Sequence, residues 1–280
     1  MPRKSKFTHE QQRYMVEMYK SGLSTVQISK HFKCTASGIA YLIKKHLGEL
    51  RTNKENSRFY NYNKDYFKEI NNSEKAYWLG FIYADGYVKR NGKSKMFGIA
   101  LSIDDKEHLE KFKKSIEATY PIKVYNPIEN SYSKKQYCRI QIFGEEIFNN
   151  LVKHGVIENK TLRLEPPNIK KDLVPHFIRG YMDGDGTITY NSSNKKEFRV
   201  KIVGVKNMLN FIKKFIEENN IATINKFYQR RKTDKVYSIE LGGNNQVKKF
   251  LDLIYKDSTI YLDRKYNRYK ELCNIIHSRL

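Results

Sequence analysis

The chain lacks most of what would place it outside a cell or in a membrane. Its 280 residues include only three cysteines, Cys34, Cys138 and Cys273, far apart in sequence. They offer no disulfide framework and no CxxC knuckle, so free thiols in a reducing cytoplasm, of bacterial or phage type, are expected. No apolar run approaches the ~18 residues of a spanning helix, so no membrane association of that kind is expected. Met1 to Lys6 is basic but leads into Phe7-Thr8-His9-Glu10-Gln11 with no apolar stretch, so secretion is not expected. Seven scattered histidines show neither zinc nor HNH spacing. Acidic residues are also scarce: 30 Asp and Glu stand against 53 Lys and Arg, a net charge of +23. Hydrophobic residues still make up 39%, enough for a real core. A folded chain with this excess of cation favours a polyanionic partner, nucleic acid before an acidic membrane surface.

Residues 8–46 read as three short helices. The first spans about Thr8 to Lys20, with Tyr14, Val16, Met18 and Tyr19 toward a buried face, and Gly22 allows the turn that follows. Ser24 is a good N-cap for a second helix carrying Val26, Ile28 and Phe32. Thr35 opens a third, with Ile39, Tyr41, Leu42 and Ile43 at helical spacing and Lys44 and Lys45 near its end. Two helices joined by a short turn after a supporting helix resemble a helix-turn-helix, here residues 1–48. In that reading the third helix enters a major groove. Thr35, Ala36, Ser37 and Ala40 lie near base edges, while Lys44 and Lys45 meet phosphate. A solvated three-helix packing module is the alternative. Residues 49–64 shift to asparagine, charge and tyrosine and read as a linker.

The remainder carries an internal repeat. Trp78-Leu79-Gly80-Phe81-Ile82-Tyr83-Ala84-Asp85-Gly86 is matched by Ile178-Arg179-Gly180-Tyr181-Met182-Asp183-Gly184-Asp185-Gly186, an offset of 178 − 78 = 100 residues. Leu109–Ile116 and Leu209–Ile216 follow at the same offset, and Asn159-Lys160 pairs with Arg264-Lys265 after a small gap. Two copies are too few for a solenoid and point to two half-domains, 65–172 and 173–280, about an approximate two-fold axis. Within each half the period changes in one order. A helix (74–85; 175–185) precedes two extended segments (87–90 and 96–103; 187–191 and 197–204). A helix follows (105–118; 205–219), then two more extended segments (122–128 and 136–143; 222–231 and 235–241). A helix closes the unit (145–154; 244–255). The expected class is α+β, with each half αββαββα.

Each nonapeptide ends a helix, so Gly86 and Gly186 are expected at the C-terminal turn in a left-handed conformation. Gly80 and Ala84 share one helix face, as do Gly180 and Gly184. Interior glycine costs about 1 kcal/mol relative to alanine, and close packing of the two helices is the reason to accept it. Asp85 and Asp185 are then the last helical residues, where the macrodipole disfavours a carboxylate by about 0.3–1 kcal/mol. If the two helix ends lie side by side, the carboxylates also repel. A divalent cation between them relieves both penalties, and oxygen ligands with open positions suit Mg2+, with Mn2+ as its substitute. An Asp-Gly turn without chemistry is the alternative for either copy alone.

Both nonapeptides look like the LAGLIDADG motif, and residues 65–280 resemble the dodecapeptide-type (DOD) homing endonucleases, enzymes of mobile introns. The resemblance implies a monomeric, pseudo-symmetric double-strand DNA endonuclease with the motif helices at its interface and a saddle of strands along the DNA. It places the metal-binding acids on Asp85 and Asp185. The sixth motif position is often acidic and here is Tyr83 in one copy and Asp183 in the other, where a structural role is expected. Arg179 replaces a small residue and reads as a peripheral contact.

Two carboxylates on a two-fold axis suit metal-assisted attack of water on one phosphate in each strand. Lys160 and Lys265, at equivalent places, are candidates to stabilise phosphate charge, against the alternative of solvated surface lysines. Alternation puts Tyr137, Arg139 and Gln141 on one strand face, with Arg199 and Lys201, Tyr87 and Lys89, Thr187 and Thr189, and Gln229 and Arg231 extending the polar set. Such a face suits double-stranded DNA, Arg and Gln for purine edges and lysine for phosphate. A regulator that binds without cutting and an RNA-splicing maturase are the competing readings.

Overall fold

The structure is a computed structural model, and it describes residues 6–52, 59–127, 135–190, 197–229, 231 and 233–278. The chain divides into two compact units between Asn61 and Tyr62. The expected linker falls in part on 53–58, outside the described residues.

In the first unit, helices α1 (His9–Lys20), α2 (Thr25–His31) and α3 (Ala36–Leu47) follow one another through tight turns. Thr8 and Ser24 each accept a hydrogen bond from the backbone N–H three residues on, while Gln11 and Gln27 reach back to close a capping box. Thr35 caps α3 through Gly38 N–H. Met15, Val16, Tyr19, Ile28, Ile39, Leu42 and Ile43 form the core. Three residues expected inside face outward instead: Tyr14, Val26 and Tyr41, the last 75% exposed. The reason is helical phase. Ile39, Leu42 and Ile43 fix the buried stripe of α3, and at 100° per residue Tyr41 falls opposite it. Met15 in the same way takes the place expected of Tyr14. Arg51, expected in the linker, belongs to this unit: its N–H donates to Tyr19 Oη at 2.8 Å and its guanidinium lies 3.9 Å from the Tyr19 ring centroid.

The second unit contains two half-domains of like order. The first runs α4 (Ser73–Asp85), β1 (Gly86–Asn91), β2 (Ser94–Ser102), α5 (Lys106–Ser115), β3 (Lys123–Tyr125), β4 (Tyr137–Phe143) and α6 (Glu145–Lys153). Its antiparallel sheet has the order β1-β2-β4-β3. The second runs α7 (Val174–Asp185), β5 (Gly186–Tyr190), β6 (Phe198–Gly204), α8 (Lys206–Glu218), β7 (Tyr237–Gly242), α9 (Asn244–Tyr255) and an added helix α10 (Asp263–His277). Its sheet has the order β5-β6-β7. The expected strand over 222–231 is reduced to one bridge, Tyr228 with Ser238. Gln229 and Arg231 therefore sit on a turn: Gln229 Nε2 donates to Asp234 O at 2.7 Å, and Arg231 N–H to Asp234 Oδ2 at 3.0 Å.

Each sheet buries one face under its helices. Val88, Phe97, Ile99, Ile140 and Ile142 pack there in the first half, and Ile188, Phe198, Val200, Ile202 and Leu241 in the second. Strand alternation sends their neighbours to the opposite face. Because the apolar period is strict, a register slip of one residue would turn the whole set outward. Helix α4 is buried on every side from Ala76 to Tyr83, as befits a helix in the interior of its own unit. No helix of the described residues is long and apolar enough to cross a membrane.

Candidate active site

Helices α4 and α7 pack at backbone contact. A Cβ built on Gly80 would lie 2.0 Å from Phe177 O, and one on Gly180 would lie 1.9 Å from Tyr77 O. No side chain can be accommodated at either place, so the glycines set the distance between the helices. At Gly184 a Cβ would meet Ala84 Cβ at 2.2 Å and Asp85 Oδ2 at 3.1 Å. Gly86 and Gly186 have ordinary extended φ values of −83° and −104°, so the expected left-handed turn is absent. Glycine is needed there for a different reason. A Cβ would strike Ile82 O at 2.8 Å or Met182 O at 2.5 Å, because each strand leaves its helix without an intervening loop.

Both helices end on their acidic residue, and the close seam brings Asp85 and Asp185 into mutual electrostatic contact. Burial, then the charge of Asp185, pushes the Asp85 carboxyl up to about 6 against an ordinary 3.8, with Lys265, Lys160 and Arg264 acting in the opposite sense. Burial likewise raises Asp185, opposed by Lys160 and Lys265. Each carboxyl therefore holds its proton more tightly than a solvated carboxylate does.

Lys160 and Lys265 stand behind them, and neither is a solvated surface lysine: 8% and 2% exposed. Lys160 Nζ donates to Ala84 O at 2.8 Å, and Lys265 Nζ donates to Met182 O at 2.7 Å and Asp183 O at 2.6 Å. Each ammonium therefore caps orphan carbonyls at the end of a motif helix while facing the carboxylates. Burial lowers both lysines, Lys265 to about 8.

A hard divalent cation fits this donor set. The site offers two carboxylates whose crowding costs free energy. Among the described residues no cluster of three or more His, Cys, Asp or Glu exists. Water and a phosphate would supply the remaining ligands.

The sixth motif positions differ between the halves. Asp183 accepts from Tyr77 Oη at 2.8 Å, Leu262 N–H at 2.8 Å and Tyr255 Oη at 3.2 Å, and burial still holds its carboxyl above the usual range. Tyr83 instead donates to His154 O at 2.5 Å. Arg179, expected at the periphery, is 1% exposed, and its guanidinium donates to Ile254 O at 2.7 Å and Ile260 O at 3.0 Å. It ties the end of α9 and the approach to α10 onto α7. Sequence spacing missed this because the acceptors are carbonyls some 75 residues away.

Of the candidate DNA-facing residues of the second unit, those on strands share the open faces of the sheets, while Gln229 and Arg231 do not. Across the first sheet, Tyr87 is level with Gly98 and Gln141, Lys89 with Met96 and Phe143, and Arg139 with Ala100 and Lys123. Gln141 Nε2 donates to Tyr87 Oη at 3.2 Å. Arg139 Nη2 donates to Tyr125 Oη at 2.8 Å, and Tyr125 stacks on Tyr137 at 5.1 Å between centroids. The sequence reading did not single out Tyr125, which shares a strand face with Lys123. In the second sheet Thr187 is level with Lys201 and Thr189 with Arg199; Arg199 is exposed, and Lys201 pairs with Glu240 at 3.0 Å. In the first unit Thr35, Ser37, Lys44 and Lys45 are all exposed.

Comparison with known proteins agrees with this architecture. Residues 172–255 match the family described as LAGLIDADG-like domain. The fold is similar to that of the LAGLIDADG homing endonuclease I-GzeII, solved with its DNA target, with a TM-score of 0.51 and 13% identity, covering 74% of this chain and 91% of that one. An uncharacterized protein of Methanocaldococcus jannaschii is 26% identical over 194 residues, which are 66% of this chain but only 21% of that relative's length. The chain thus contains a LAGLIDADG-like domain and has the two-half-domain fold of the LAGLIDADG homing endonucleases.

Proposed function

We propose that this chain is a site-specific double-strand DNA endonuclease that works as a monomer, with Mg2+ or Mn2+ held by Asp85 and Asp185. The meeting of two half-buried carboxylates at one seam carries the reading, because their desolvation and repulsion cost stability that a role in chemistry accounts for. A bound cation would lower the pKa of a coordinated water and stabilise charge on phosphorus. The chain's own residues do the rest. The glycine seam of α4 and α7 sets the spacing between the carboxylates. Lys160 and Lys265 hold the helix ends and add positive charge beside them. The open sheet faces take the two half-sites, with Tyr87, Lys89, Tyr137, Arg139 and Gln141 on one and Thr187, Thr189, Arg199 and Lys201 on the other. Gln229 and Arg231 reach phosphate from their turn. The first unit acts as a helix-turn-helix, with Ser37 at base edges and Lys44 and Lys45 on phosphate, and it supplies added affinity in the cytoplasm where the target resides.

The test is cleavage of a plasmid library carrying randomised targets, in Mg2+. Wild-type protein linearises a subset. Asp85→Asn or Asp185→Asn abolishes double-strand cleavage while leaving binding within about tenfold. Full cutting by either variant refutes the assignment. Binding of a selected duplex with no nicking would favour the regulator reading, to which the separate three-helix unit lends support. Preference for intron RNA over duplex DNA at matched salt would favour the maturase.

A further inference from the structure

One residue on the open face of the second sheet does not fit a surface built to meet phosphate. Glu240 of β7 stands level with Lys201 of β6, which stands level with Thr187 of β5. It is the only Asp or Glu in the described strands of either sheet. Glu240 Oε1 lies 3.0 Å from Lys201 Nζ, and the two side chains are 38% and 48% exposed. Two residues along the same strand face, Gly242 adds no bulk: a Cβ built there would meet nothing within 4 Å. The carboxylate therefore borders open space on the face proposed to meet DNA.

An exposed cross-strand ion pair adds little stability. Against phosphate it works in the wrong sense, since Glu240 cancels the charge with which Lys201 would displace counterions. Base edges are a better match. A carboxylate accepts hydrogen bonds and donates none. In the major groove only cytosine N4 and adenine N6 offer it a donor, while guanine and thymine present the acceptors O6 and O4. The adjoining ammonium needs the reverse. Guanine supplies two acceptors side by side, O6 and N7, next to the N4 amino group of its paired cytosine. An adenine–thymine pair supplies its acceptors singly, one on each side of N6. A donor and an acceptor held 3.0 Å apart therefore match a C·G pair best.

We infer that Lys201 and Glu240 together read one C·G base pair in the half-site of the second sheet, Lys201 donating to guanine O6 and N7 and Glu240 accepting from cytosine N4. This rests on the reading of the open sheet faces as the DNA surface, given above. The ion pair holds both side chains in place before DNA arrives, so less side-chain freedom is lost on docking. Glu240 also acts by rejection. Guanine or thymine in the place of that cytosine sets acceptor against acceptor, and a carboxylate left in the interface without a donor weakens binding. The first sheet has no acid in its described strands and so no counterpart to this pair. The two half-sites are read by different chemistry although the halves share a fold.

The test uses the full chain and recovers duplexes from the randomised library in two ways, by capture on the protein in a chelator and by cleavage in Mg2+. Both pools are sequenced. The wild type is expected to show a position where cytosine is favoured at least about tenfold over every other base, and which responds to Glu240. Glu240→Gln presents a donor as well as an acceptor, so the preference there falls to about threefold or less, adenine gains most, and the other positions keep theirs. Glu240→Ala serves as a second variant, losing the same preference without the gain for adenine. Both side chains being exposed, either variant should melt within about 2 °C of wild type. Replacing that cytosine in a fixed site by 2-pyrimidinone, which lacks the 4-amino group, should weaken wild-type binding about tenfold and Glu240→Ala binding less than about twofold. A wild-type profile with no cytosine-dominated position, a Glu240→Gln profile unchanged at every position, or an equal loss for both proteins with 2-pyrimidinone overturns the inference. Glu240-dependent cytosine preference in the captured pool without any cutting refutes the endonuclease reading and keeps this one, while cutting at sites that lack the preference does the reverse. Recovery of no duplex by either route removes both.

Discussion

Neutralising Asp85 should stabilise the protein in the absence of metal. Burial and the Asp185 charge raise its carboxyl from 3.8 to about 6. A carboxyl raised in the folded state takes up protons on folding between those two values, so its ionisation opposes folding progressively as pH rises through that window. Two units at 1.36 kcal/mol each give about 3 kcal/mol of destabilisation at pH 7.5, roughly 1.6 kcal/mol at pH 5 and roughly 0.6 kcal/mol at pH 4. Asp85→Asn keeps the shape and removes the charge. Thermal unfolding with a chelator at pH 7.5 should show the variant melting roughly 5–10 °C above wild type, with the gap closing toward pH 4. Adding Mg2+ should raise the wild-type Tm, because the cation offsets the same repulsion and binds only the folded state. It should raise the variant's Tm less. A variant less stable than wild type at pH 7.5, or a gap that does not change with pH, would show that the carboxylate is not repelled at this seam.

Other substitutions probe what surrounds the pair. Gly180→Ala places a Cβ 1.9 Å from Tyr77 O, a backbone atom with nowhere to go, and should cost about 3 kcal/mol or more in urea unfolding. Tyr77→Phe removes the hydroxyl between Asp183 and His108 Nε2 and should lower stability by about 2 kcal/mol, seen as a reduced urea midpoint at unchanged m-value. Binding of the target duplex should weaken about 1,000-fold between 50 and 200 mM salt, measured by fluorescence anisotropy, as counterion release requires for a contact of several phosphates. Deleting residues 1–61 should leave a cooperatively unfolding remainder with target affinity reduced by at least about tenfold, since each unit is compact by itself.

The order of most helices and strands, the repeat and the placement of Asp85 and Asp185 at two helix ends were legible in the chain because each is written locally. Strand alternation, capping residues and the small-residue stripe depend on neighbours within a few positions. Even α10, left unassigned by the repeat, shows helical spacing in Tyr266, Tyr269, Leu272 and Cys273. What escaped was set by distant partners. Arg179 looked peripheral because its acceptors, Ile254 O and Ile260 O, are backbone atoms that no side-chain pattern marks. Gly86 and Gly186 were assigned the right necessity for the wrong cause, since a close approach and a left-handed turn leave the same residue in the sequence. Among the described residues of 222–231 no strand forms, because a ladder needs a partner along its length and of these residues only Tyr228 finds one. The repeat by itself made Lys160 and Lys265 equivalents. Tertiary structure separated them, because the acceptors near an ammonium depend on which carbonyls the packed helix ends leave open, and the two ends are not packed alike.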